Sequence, residues 1–138
     1  MNAVSEDVKD LLVTAGVGTF KAASGCGIYI NFEPEEPDTS ITIYDTGGPT
    51  PGLTADVSQA PYRFSSFQVR VRGPNADYAA VLGKIQLVQS TLETKTKFTA
   101  GSARYERFMT TIEPAFLRVD ENQRVIWVAS FEAQRHAT

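Results

Sequence analysis

The stretch Phe67-Gln68-Val69-Arg70-Val71-Arg72-Gly73-Pro74-Asn75-Ala76-Asp77-Tyr78 decides the class of fold, because the spacing of apolar residues changes within it. Up to Arg72 they alternate, with Phe67, Val69 and Val71 on one face and Arg70 and Arg72 on the other, as a half-buried strand requires. Gly73-Pro74 stops the strand, since proline has no N–H for a ladder and fixes φ. Beyond it Tyr78, Val81, Leu82, Ile85, Val88 and Leu92 recur at helical spacing. Asn75 is placed to cap this run, and Asp77 is favourable in its first turn. The pattern predicts a strand followed by a helix over residues 76–93.

Toward the N-terminus, Ile28, Ile30 and Phe32 alternate with Tyr29 and Asn31, and Ile41-Thr42-Ile43-Tyr44 alternates again. With the polar turn Glu33 to Thr39 between them, the two runs are expected to form an antiparallel hairpin. Val8, Leu11, Leu12 and Ala15 give an amphipathic helix over residues 5–15, with Ser5 as N-cap, Glu6 and Asp7 in the first turn, and Gly16 as left-handed C-cap. Toward the C-terminus, residues 104–113 and 124–135 read as strands joined across Pro114 and a turn at Asp120-Glu121-Asn122, with Val125, Trp127, Ala129 and Phe131 on one face. The expected fold is α+β, a single domain over residues 1–138, with a mainly antiparallel sheet of about four to five strands packed with two helices.

A chain of 138 residues, 42% hydrophobic, is long enough to bury one core without staples. The single cysteine, Cys26, cannot form an intramolecular disulfide, and with one histidine, His136, a zinc site is not expected. The acidic start Ser5-Glu6-Asp7 and the lack of any apolar run near roughly 18 residues lead to an expectation of a soluble, cytoplasmic protein without a membrane partner. A net charge of −3 argues against general nucleic-acid binding through phosphates.

Asp45-Thr46-Gly47, at the end of an apolar strand, has the local form of a retroviral-type aspartic protease motif, in which two carboxylates share a proton and activate water. The residues that follow, Gly48 and Pro49, depart from that pattern, and the later apolar-apolar-glycine partner is found only as Val81-Leu82-Gly83, inside the expected helix. The competing reading makes Asp45 and Thr46 strand closers that hydrogen-bond nearby backbone, with Gly47-Gly48 as an exit turn. His136 is expected on a frayed tail, away from any nucleophile. Gly16-Val17-Gly18 and Gly25-Cys26-Gly27 lack the strand-to-helix context of a phosphate loop and read as cap and turn. No cofactor is expected. Residues 46–61 carry three prolines and three glycines, marking a long loop of functional interest. Arg63, Arg70 and Arg72 could face phosphate, an acidic partner surface or solvent.

Taken together, Leu11-Leu12-Val13-Thr14-Ala15-Gly16-Val17-Gly18-Thr19-Phe20, the strand ending Asp45-Thr46-Gly47-Gly48, and Phe67-Gln68-Val69-Arg70-Val71-Arg72-Gly73 resemble the tail terminator proteins of long-tailed bacteriophages, also described as tail-completion or minor capsid proteins. The resemblance covers most of the chain and departs from the family mainly in the length and proline content of residues 50–61. It implies a non-enzymatic virion protein made in the host bacterial cytoplasm. Such proteins form a homo-oligomeric ring, a hexamer in well-known members, on the head-proximal end of the tail tube, where they stop tube polymerisation and provide the head-tail joining surface. The implied partners are other copies of the chain, the tail tube protein and a head-completion or connector protein, with DNA passing through the ring unbound. Asp45, Pro49, Pro51, Leu53, Arg63, Arg70 and Arg72 are the candidate assembly contacts. A head-closure or connector protein is the alternative, and a protease using Asp45 the remote one.

Overall fold

A computed structural model describes residues 1–48 and 62–137. In chain order the elements are α1 (Val4–Thr14), β1 (Thr19–Phe20), β2 (Gly27–Ile30), β3 (Ser40–Gly47), β4 (Arg63–Pro74), α2 (Tyr78–Glu93), β5 (Thr96–Ala100), β6 (Ala103–Val119) and β7 (Arg124–Ala137). The strands form one seven-stranded sheet in the order β1-β2-β3-β4-β7-β6-β5. The class is α+β with two helices, as expected, but the sheet has seven strands and is mixed, with β1, β2 and β3 parallel and the other pairings antiparallel.

The helices follow their sequence patterns, with different caps. α1 buries Val4, Val8 and Leu12 and ends where Gly16 takes a φ of 75°. There the N–H of Val17 reaches back to the Leu12 carbonyl and that of Gly16 to the Val13 carbonyl, both at 3.0 Å, a paired closure of orphan carbonyls. Ser5 lies inside the helix and is not its N-cap; Ala3 occupies that position without a side-chain bond. Nor does Asn75 cap α2: residues Asn75–Asp77 form a 3-10 turn, and the helix follows with Asp77 at its N-cap, again without a side-chain bond. Val81, Ile85, Val88 and Leu92 of α2 are buried as their spacing requires, while Tyr78, at the start of the stripe, is 58% exposed.

The expected hairpin of residues 28–44 is overturned. β2 and β3 run parallel, with Gly27 opposite Ser40 and Ile30 opposite Ile43, and β1 is parallel to β2. The intervening segment must therefore return to the end of the sheet at which β2 began, although it contains no helix. Arg72 of β4 supplies the physical reason. Its guanidinium donates to the carbonyls of Pro37 (2.8 Å), Asp38 (3.3 Å) and Glu35 (3.5 Å) and pairs with Glu33 at 3.4 Å. Arg124, at the start of β7, donates to the Glu35 carbonyl as well, and lies 3.5 Å from Asp38 and 2.8 Å from Asp120. Two arginines on neighbouring strands thus satisfy backbone acceptors that a connection without ladder bonds leaves open.

The antiparallel half of the sheet is regular between β4 and β7, shifts register once between β3 and β4 at Asp45 to Gly47, and is irregular in β6. β4 pairs with β7 along its whole length, Arg63 opposite Arg135 and Pro74 opposite Arg124. β6 runs through Pro114, its register against β7 shifting between Ile112 and Ala115, where a bulge accommodates the missing N–H. The turn at residues 120–123 closes as expected, with Asp120 Oδ1 accepting from the N–H groups of Asn122 and Arg124, each at 2.9 Å. His136 lies near the end of β7 opposite Arg104, not on a frayed tail, with its ring 5.0 Å from that of Tyr62.

Both helices pack on one face of the sheet. Ile41, Ile43, Phe67, Val69, Val71, Ala129 and Phe131 join the buried stripes of α1 and α2 in one core. Phe67 stacks on Phe131 at 5.4 Å between ring centroids and meets Phe108 edge-on at 5.8 Å. The alternation of β3, β4 and β7 sends Tyr44, Gln68, Arg70, Ser130 and Glu132 to the opposite face, which no helix covers among the described residues.

Candidate assembly surfaces

Asp45 is a long-range helix cap. Its Oδ1 accepts the backbone N–H of Ser5 at 3.1 Å and its Oδ2 accepts the Ser5 hydroxyl at 2.6 Å, so a carboxylate from β3 closes the N-terminal turn of α1. Ala3 at the N-cap has no oxygen to do this, and the helix N-terminus favours the negative charge. Asn31 holds Asp45 from the other side: its Nδ2 donates to Oδ2 and its Oδ1 accepts the Asp45 N–H, both at 2.9 Å. Asn31 manages this with a φ of 55°, a conformation asparagine tolerates better than most residues. Asp45 thus closes a helix forty residues away rather than the backbone next to it, as a strand closer would. Replacing Asp45 with Ala should destabilise the protein by about 1–2 kcal/mol. Urea unfolding would check this, and an unchanged midpoint would show that the cap carries no weight.

Directly after Asp45 the chain leaves the sheet. Gly47 pairs with Ser66, and a Cβ at Gly48 would collide with the Phe64 carbonyl oxygen, so the departing segment passes against β4 where only glycine fits. The chain returns at Tyr62, next to Arg63 on the same strand. A cleft of about 400 Å³ opens at this point, lined among others by Val4, Asp45, Gly48, Arg63, Ser66 and Arg135. Of the residues singled out from sequence, Asp45 and Arg63 meet here. Arg63 is exposed, while Pro49, Pro51 and Leu53 lie outside the described residues.

Arg70 and Arg72 have different environments despite sharing a face. Arg70 stacks over Tyr44, its guanidinium carbon 5.0 Å from the ring centroid, and donates to Gln68 Oε1 at 2.9 Å on the uncovered face. Arg72 is only 3% exposed and is committed to the 33–38 segment, so it does not present a surface. Cys26 is half-buried, and burial raises its pKa while Lys84 pulls weakly the other way, an environment that disfavours the reactive thiolate.

A buried polar cluster joins α1, β6 and β7. The carboxylate of Asp7, 1% exposed, accepts the phenol proton bond of Tyr105 and lies 3.7 Å from Arg135 Nη1. Arg135 also donates to the Tyr105 oxygen (3.1 Å), the Asn2 carbonyl (2.8 Å) and the Ser65 hydroxyl (3.0 Å). Asp7 is the first-turn acid that the sequence indicates, and it is buried as well. Its spacing on α1, one residue before Val8, gives it a core-facing position that a helical wheel can indicate but whose partners it cannot.

Comparison with known proteins gives the same class. The sequence matches the family described as "Bacteriophage tail terminator protein" over residues 11–136. No curated protein sequence is a significant match. Among solved structures, a chain from the "Virion of native gene transfer agent (GTA) particle" superposes with a TM-score of 0.65 at 17% identity, covering 98% of this chain and 96% of that one. A second solved chain reaches a TM-score of 0.57 at 11% identity, over 99% of this chain and 92% of that one. At these identities the superpositions speak for the fold, and the sequence match speaks for the family. The chain belongs to the bacteriophage tail terminator proteins, structural components of the phage tail.

Proposed function

We propose that the protein forms a closed ring on the head-proximal end of the tail tube, ends tube polymerisation there, and offers the joining surface for the head. The observation that carries this reading is the family match over residues 11–136. The architecture is compatible with it. A sheet bounded by two different edges, β1 on one side and β5 with β6 on the other, favours contacts between unlike patches, which close into rings. The net charge of −3 suits a ring through which DNA passes without being held.

Two surfaces are assigned to contacts. The segment between Gly48 and Tyr62, with Pro49, Pro51 and Leu53, leaves and re-enters the sheet at one point beside Asp45 and Arg63, and is assigned to a neighbouring subunit or the tube. Proline there limits the entropy lost on docking. Deletion of residues 50–58 should leave the fold intact and abolish tube capping; normal capping by the deleted chain contradicts the assignment. Arg70, on the uncovered face, is assigned to a protein partner. Because Arg72 is buried, only Arg70 can be reversed in charge without unfolding the chain. The Arg70→Glu variant should bind tubes at least about tenfold more weakly, which cosedimentation would measure.

The reading as a whole is tested by incubating the purified protein separately with isolated tail tubes and with heads lacking tails. Binding to one end of the tubes is expected. Binding to heads alone would move the protein to a head-closure role.

A further inference from the structure

The two edges of the sheet are chemically different. β5 pairs only with residues 103–107 of β6, so from Phe108 onward β6 has β7 on one side and, among the described residues, no strand on the other. On the face that carries the helices this free stretch presents Phe116 and Val119, 53% and 41% exposed and paired with Trp127 and Val125, while Ile112, opposite Ser130, points to the other face. The stretch's repeated register shifts and Pro114 break the regular row of N–H and C=O groups, which disfavours addition of a further strand and leaves the side chains to make any contact.

Beside this apolar wall two carboxylates are drawn together. Gln89 Nε2 donates to Glu113 at 2.9 Å and to Glu93 at 3.2 Å, and the Thr110 hydroxyl donates to Glu93 at 2.5 Å. No lysine or arginine among the described residues comes within ion-pair distance of either acid. Two like charges gathered by one neutral amide are relieved by a cation from outside.

The opposite edge, β1, offers that cation. Phe20 is 37% exposed, and Lys21, held at a φ of 52°, places its ammonium 5.1 Å from the Phe20 ring centroid. Lys9 also lies over the ring at 4.6 Å, but it is paired with Asp10 at 2.8 Å and Glu6 at 3.6 Å. Lys21 has no carboxylate within ion-pair distance among the described residues. This exposed cation-aromatic pair, which contact would desolvate, suits a surface that pairs an apolar wall with two acids.

We propose that copies of the chain meet head to tail across these edges, Lys21 and Phe20 of one copy entering the surface formed by Phe116, Val119, Glu93 and Glu113 of the next. The patches are unlike, so each copy keeps one of each free until the rotation closes. This rests on the ring reading above and names its subunit interface.

Charge exchange tests it. Lys21→Glu alone, and Glu93→Lys with Glu113→Lys, should each weaken self-association on the order of tenfold or more, read by native mass measurement and sedimentation of the full chain alone and on tail tubes. The triple variant carrying all three reversals restores the opposite-charge contact at every interface and should recover assembly. Circular dichroism and thermal unfolding matching wild type would show that each variant is folded. Rings that form normally in either partial variant, or a folded triple variant that stays dissociated, overturn the interface while leaving the ring reading standing. A wild-type chain that stays monomeric even on tubes overturns both.

Discussion

Replacement of Arg72 by Ala should cost about 3–5 kcal/mol, the usual penalty for removing one partner of a buried charge pair. For a domain whose total stability is about 5–15 kcal/mol, this leaves the variant near its unfolding threshold. Arg72 is 3% exposed, and its removal strands Glu33 and the carbonyls of Pro37 and Asp38 without their donor. The loss falls on the connection that makes β2 and β3 parallel, so hydrogen exchange should rise first in residues 27–47. Arg72→Lys should not rescue: a single ammonium cannot span acceptors that a planar fork reaches together. Arg70→Ala, one alternation away on the same strand, should cost less than about 1 kcal/mol because its partners remain solvated. Equal costs at the two positions would refute the role given to Arg72.

A second large effect is expected at the buried cluster. Asp7→Ala leaves Arg135 without its counter-ion and Tyr105, fully buried, without its acceptor, a loss of about 3–5 kcal/mol. The same cluster gives the stability a pH dependence of known sign. Burial first, and then the hydrogen bond to Asp7, push the Tyr105 phenol well above its ordinary value, although Arg135 pulls the other way. A folded-state pKa above the unfolded one means a contribution that is complete below the unfolded phenol value of about 10 and is lost as pH rises beyond it. Wild type should therefore lose stability above about pH 10, where Tyr105→Phe, which has no phenol to ionise, should fall less steeply. Parallel alkaline profiles for the two proteins would contradict the assignment.

The parts of the fold legible in the sequence were those whose cause is local. The change from alternation to helical spacing across Gly73-Pro74 located β4 and α2, and the face shared by Val125, Ala129 and Phe131 of β7 is the buried one. What escaped depends on contacts between distant residues. The polar segment of residues 33–39 reads as a hairpin turn because nothing near it reveals that Arg72 and Arg124 hold its carbonyls and return the chain for a parallel strand. β1, of two residues, and β5, with an exposed Lys95-Thr96-Lys97 start, carry too little apolar pattern to register as strands. At the candidate site the sequence pointed to Asp45 through a protease-like triplet, yet the carboxylate serves Ser5, forty positions earlier in the chain. Arg70 and Arg72 looked equivalent by periodicity, and only the covering segment separates them. The exposed edge of β6 is not legible in the sequence because its apolar residues look like core until the strand is seen to have no outer neighbour among the described residues.

The central claim is that this chain stops tail-tube growth by capping one end. The most direct measurement is the length distribution of tubes polymerising from purified tail tube protein, with and without this protein, by electron microscopy. Added at the start, it should shorten the tubes and leave density at one end only; added after growth, it should bind that same end. Tubes of unchanged length with bare ends, in the presence of folded protein, would contradict the account.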